Sequence, residues 1–156
     1  MSLIEVVVAT GILSLFIVTA IGFTTFMFRN EPRVALKQEL HWQGHGMLTD
    51  IREYVQLADE IVDPSQGNTG AALEFITNGS TFDIAIENGV VTVREEGAVR
   101  DELNRGFITA ESFTVHNLSF DAVDSIQVAI QLDAVKGETI VSEEFTTTIT
   151  RPWVDN

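Results

Sequence analysis

MSLIEVVVATGILSLFIVTAIGFTTFMF, residues 1–28, decides the reading of this 156-residue chain. From Val6 to Phe28 no side chain is charged and nearly every one is apolar. As a helix rising about 1.5 Å per residue, residues 6–28 span roughly 34 Å, enough to cross the hydrocarbon core of a bilayer. Glu5 stands at the edge of this run. A carboxylate there is costly in lipid or in a protein interior unless a partner meets it. The stretch holds no Lys, Arg or His. The nearest positive charge at that level is an α-amino group, either Met1's own, four positions away, or that of a neighbouring copy.

Two simpler readings of the stretch explain less. A secretory signal needs a basic segment before its apolar core and small residues after it. Here no basic residue precedes the core, and Phe26-Met27-Phe28 closes it. A plain single-span anchor accounts for the length and leaves Glu5 without a role.

The run Met1-Ser2-Leu3-Ile4-Glu5-Val6, followed by a long apolar helix, is similar to the mature start of type IV pilins and type II secretion pseudopilins. The resemblance covers residues 1–30; beyond them it is architectural, with a looser likeness to minor-pilin heads near the C-terminus. It implies a precursor whose short basic leader, ending in Gly, is removed by a prepilin peptidase that also methylates the Met1 amine. It further implies an assembly ATPase and platform proteins as partners, and a pool of subunits held in the cytoplasmic membrane with the head outside. In the filament the apolar helices bundle, and the Met1 amine of an incoming subunit meets Glu5 of one already docked. Where the family often carries Pro and loses regular helical bonds, this chain has Gly22, so loosening there is optional. Close packing of helices through small residues explains Gly22 equally well. Gly11 and Gly22 each cost about 1 kcal/mol of helix propensity relative to Ala.

Asn30-Glu31-Pro32-Arg33 marks the exit from the apolar run. Pro32 would kink a continuous helix or open a new one at its first position. Arg29 and Arg33 suit headgroup contact, or neutralisation of acidic neighbours in a filament. The chain thus divides into residues 1–30, a transmembrane or filament-core helix, and residues 31–156, a globular head. Within the head, residues 34–62 predict an amphipathic helix, with Leu40, Met47, Ile51, Tyr54, Ala58 and Ile61 forming one stripe, widened by Leu48 and Val55. Gly44-His45-Gly46 weakens its middle. His41 and His45, one turn apart, could share zinc from one face. No third ligand accompanies them, since Cys is absent and His116 lies far along the chain. Solvent-facing or interface histidines are the simpler reading. Asp59, Glu60 and Asp63 have no EF-hand spacing and read as a solvated acidic helix end.

Residues 63–70 read as a loop. Residues 73–151 read as β-structure, in one antiparallel sheet packed on the helical stripe. The expected strands are 73–76, 81–87, 90–94, 113–120, 125–135 and 140–151. Asn88-Gly89 is a two-residue hairpin signal, Lys136-Gly137 turns the chain again, and 95–106 reads as an exposed charged loop. The fold class is α+β, a long N-terminal helix packed on an antiparallel β-sheet head.

The net charge of −14 and pI near 4.3 disfavour direct nucleic-acid binding. No catalytic triad order, P-loop, dinucleotide fingerprint or zinc-protease motif is present. No cofactor or metal is expected, and an enzyme is not expected. The sequence therefore points to a type IV pilus subunit on the cell surface, a homopolymer joined through its N-terminal helices and supporting adhesion, motility or DNA uptake. The expected assembly residues are Met1 and Glu5, with Gly22 for loosening. A pseudopilin or minor pilin of a secretion or competence system is the near alternative. A single-span membrane-anchored enzyme or binding module is the alternative of another class.

Overall fold

The computed structural model describes residues 2–120 and 123–152, with the backbone alone described at 29, 30, 32, 123 and 152. Among the described residues one long helix, α1 (Leu3–Leu57), precedes nine strands: β1 (Glu60–Asp63), β2 (Thr69–Gly70), β3 (Ala72–Thr77), β4 (Ser80–Glu87), β5 (Val90–Glu95), β6 (Ala98–Glu102), β7 (Ile108–Asn117), β8 (Val123–Lys136) and β9 (Thr139–Pro152). Every strand pairing is antiparallel, so the class is α+β. The chain forms two compact units, Met1–Ala35 and Leu36–Asn156.

The helix passes through Gly22 and Pro32 without ending. A proline inside a helix forfeits one backbone bond, and here the turns on both sides stay helical, so no second helix begins at residue 34. The helix stops at Leu57 rather than at residue 62. The Asp59 N–H donates to the Ile76 carbonyl at 2.7 Å, and residues 60–63 pair with β3. Asp63 also precedes Pro64, which biases it away from helical geometry.

In the second unit, Leu36, Leu40, Met47, Leu48, Ile51, Val55 and Ala58 are buried, while Tyr54 and Ile61 are partly buried beside them. They share one core with inward residues of the strands, among them Phe75, Ile84, Val93, Phe113, Val128 and Ile130. The strands form two sheets where one was expected. The first runs β1-β3-β4-β5-β6 and the second β2-β7-β8-β9. Strand β6 lies inside the stretch expected as a loop. All five of its residues are exposed, so no buried face imprints alternation on its sequence. The next segment leaves the first sheet instead of adding a strand to it. Buried Asn104 fixes that crossing: its Oδ1 accepts from Val91 N–H at 2.7 Å, and its Nδ2 donates to the carbonyls of Gly89 and Ile108 at 3.0 and 2.8 Å. Strand β7 then starts at Ile108, well before the expected residue 113, and β2 adds two residues to it from within the 63–70 loop.

Three hairpins of the first sheet turn on Asn78-Gly79, Asn88-Gly89 and Glu96-Gly97, with both residues of each pair at positive φ. That is the backbone of the favoured two-residue turn, which matches the twist of its strands. Gly44 has a different purpose. A Cβ built there would lie 2.6 Å from ring atoms of Phe145 on β9, so glycine permits the close approach of helix and strand. Gly46 faces open space. Gly44→Ala should therefore lower the stability of the detergent-solubilised chain by about 1–3 kcal/mol through overpacking. Gly46→Ala should raise it by up to about 1 kcal/mol through helix propensity. Thermal unfolding of the two variants checks this, and equal gains in Tm would refute the packing role of Gly44.

Candidate functional site

The first turn of α1 sets the environment of Glu5. Ser2 precedes the helix, and its N–H donates to Glu5 Oε2 at 2.8 Å. The Glu5 N–H lies 3.4 Å from Ser2 Oγ and also donates to the Ser2 carbonyl at 3.1 Å. This reciprocal arrangement is a capping box, which satisfies donors that the start of a helix leaves without partners. A carboxylate in the first turn also suits the positive end of the helix dipole. Glu5 therefore has a local role that the reading of its charge alone overlooked. The signal was present in the spacing Ser2-Leu3-Ile4-Glu5. Met1, the other expected assembly residue, lies outside the described residues, as does the Arg29 side chain.

Beyond that turn the helix offers an apolar surface with its polar atoms already satisfied. Every residue from Ser2 to Phe28 is exposed; Leu3 is 86% and Phe16 72% accessible. The hydroxyls of Thr10, Ser14, Thr19, Thr24 and Thr25 each donate to a carbonyl one turn back, at 2.7–2.9 Å. No hydroxyl in this run needs water, which is the condition a spanning segment must meet. Added Cβ atoms at Gly11 and Gly22 would meet nothing within 4 Å. The helix is long and apolar enough to cross a membrane by length and composition. Its backbone at Gly22 is regular α-helix.

The second unit has a groove of about 420 Å³ between α1 and β9, lined by His41, His45, Arg52, Glu143, Phe145 and Thr147 among others. The helical period puts His41, His45 and Arg52 on one side of α1, and the strand period puts Glu143, Phe145 and Thr147 on one face of β9. His41 Nε2 lies 3.1 Å from Glu143 Oε1, and Arg52 Nη2 donates to Thr147 Oγ1 at 2.9 Å. The two imidazoles stack 6.0 Å apart and meet the Phe145 ring edge-on at 5.7 and 5.6 Å. The structure thus brings a carboxylate to the histidine pair that the sequence could not supply. The rings nevertheless stack on each other and pack edge-on against Phe145. Among the described residues, no three His, Cys, Asp or Glu groups gather in a way that could hold a metal ion. The acidic helix end is likewise engaged: Asp59 Oδ2 accepts the Asn78 N–H at 2.7 Å.

Two groups on α1 depart from their ordinary titration. Partial burial, then the charges of Asp101 and Glu53, push the Asp50 carboxyl above its usual 3.8. Burial and Asp101 likewise raise Tyr54, against the opposing pull of Arg100. A carboxyl whose folded value is raised binds its proton more tightly in the folded state. Its destabilising effect is therefore fully present above the raised value and fades as pH falls toward 3.8. Asp50→Asn should raise stability near neutral pH by about 0.5 kcal/mol or less, the scale of a screened surface charge. The gain should shrink on acidification. Melting curves at a series of pH values check this, and a gain that grows toward low pH would contradict the assignment. No family model matches this chain, and no curated protein or solved structure matches it either.

Proposed function

We propose that the chain is a structural subunit of a type IV pilin-like filament, assembled through its N-terminal helix, rather than an enzyme. The observation that carries the reading is the run from Val6 to Phe28, uncharged on all sides, exposed throughout and free of unsatisfied hydroxyls. Such a surface needs a bilayer before assembly and other copies of itself afterwards. The start Met1-Ser2-Leu3-Ile4-Glu5-Val6 and the α+β class support the same reading. The subunit would wait in the cytoplasmic membrane with its head outside, be processed by a prepilin peptidase, and be extruded by an assembly ATPase acting with platform proteins. The filament would stand on the cell surface and serve adhesion, motility or uptake. A pseudopilin or minor pilin differs from this in the filament it joins, not in the physics of joining.

The capping box favours a second reading, a single-span anchored binding module whose Glu5 does nothing beyond starting the helix. Two substitutions separate the readings. Gln at the third position of a capping box retains the reciprocal bond, whereas Ala removes it. If the Glu5 charge pairs with the amine of a neighbouring subunit, both Glu5→Ala and Glu5→Gln should cut surface filaments at least tenfold while leaving the membrane-held subunit in place. If Glu5 only caps, Glu5→Gln should behave as the native chain. Filament counts by electron microscopy, set beside the membrane fraction of the same cells, decide between them. Normal filament numbers in Glu5→Gln would end the charge-pairing mechanism, and an absence of filaments from cells making the native chain would end the filament reading.

A further inference from the structure

The chain contains two Asn-x-Ser triplets, Asn78-Gly79-Ser80 and Asn117-Leu118-Ser119, the acceptor pattern for N-linked glycans when the middle residue is not proline. The structure separates them. Asn117 is only 5% exposed. Its Nδ2 donates to the Pro64 carbonyl at 2.7 Å, its Oδ1 accepts the Ser119 N–H at 3.0 Å, and its backbone sits in β7 paired with β8. The nitrogen that would carry a sugar is committed to holding the 64–68 loop on the sheet. Asn78 is the opposite case. It is exposed and occupies the first position of the two-residue turn between β3 and β4, with φ +51°. Its backbone N–H is held by Asp59, whereas its side-chain amide makes no hydrogen bond to any described residue. Gly79 beside it has open space on the side where a Cβ would project, and Thr77 pairs with Ser80 to hold the triplet at the hairpin tip.

We propose that Asn78 is an N-glycosylation site and that Asn117 is not. The donor class is an oligosaccharide carried on a polyisoprenyl diphosphate. A C–N bond forms between Asn78 Nδ2 and the anomeric carbon, the C–O bond to the diphosphate breaks, the amide nitrogen loses one proton, and the polyisoprenyl diphosphate leaves. The proposal rests on the head lying outside the membrane, as in the function proposed above, because a membrane-bound transferase must meet the hairpin on that side. A neutral sugar at this tip would add hydrophilic bulk without altering the acidic charge of the head.

The test uses the full chain purified from the cells that naturally produce it, measured by intact mass and by sequencing of the peptide containing residue 78. The expected result is a glycan mass on that peptide, lost in both Asn78→Gln and Ser80→Ala and kept in Ser119→Ala. Ser80→Ala leaves the asparagine in place and so removes the acceptor pattern with least disturbance to the turn. An unmodified Asn78 in the native chain overturns the proposal, as does a glycan that survives Ser80→Ala or resides on Asn117. Filament counts on the same cells keep the two ideas apart. Filaments built from unmodified subunits reject the glycan alone, and a glycosylated chain that never forms filaments rejects the functional reading alone.

Discussion

Apolar surface left in water has to be covered, and the first half of α1 covers almost none of its own. Burying a large apolar side chain is worth about 1.5–3 kcal/mol. The exposed side chains between Leu3 and Phe28 therefore represent on the order of tens of kcal/mol. A folded domain is stable by only about 5–15 kcal/mol, so no arrangement of the head could offset leaving this helix in solvent. Everything else about residues 2–28 fits that constraint. Hydroxyls bond back to the helix, and the single carboxylate is engaged at the N-terminus, where the unpaired donors lie.

The head meets a different demand, since a chain without cysteine has no disulfide to help close its core. Its substitute is a pair of sheets that share one helix. The buried amide of Asn104 is the joint between the sheets, and its geometry explains why an Asn stands in an otherwise apolar interior. It makes three bonds to backbone groups of three different residues. An apolar residue of similar size would remove the bonds to the Val91 N–H and the Ile108 carbonyl, at a cost of about 1–3 kcal/mol for each group left unpaired, while the Gly89 carbonyl would keep its bond from the Ala110 N–H.

The legibility of the fold followed the physics of burial. Helix and strand periods were readable wherever one face is buried, as at Leu40, Met47 and Ile51 or at Ile126, Val128 and Ile130. They failed at β6, where no side chain is buried, and at β2, where two residues give no period at all. The sequence also could not reveal that Asp59 to Asp63 would exchange helical bonds for bonds to β3, because that partner lies more than ten residues further on. At the helix start the charge of Glu5 points to an ionic partner, and Ser2 three residues earlier supplies a neutral local one as well. The groove partner Glu143 lies about a hundred residues from His41 and carries no local signal. Gly44 had a visible cost in the sequence, but its cause, the ring of Phe145, became visible only when β9 was placed.

The short strand β2 has a kinetic consequence. In the first sheet, β3 through β6 are joined by two-residue turns, so each pairing closes a very short loop and needs little search. Thr69 and Gly70 instead pair with His116 and Val115, with β3 through β6 lying between them in sequence. Closing that span costs more conformational entropy than any of the adjacent hairpins, and the bonds of Asn117 to the 64–68 loop help to offset it. That difference in loop length predicts that the hairpins form early and that β2 docks once β7 is in place. Bonds outside the strand itself complete the closure: Gly67 N–H donates to the Asn117 carbonyl, Asn117 N–H to the Asn68 carbonyl and Asn117 Nδ2 to the Pro64 carbonyl, so the 64–70 loop closes on β7 as one clasp.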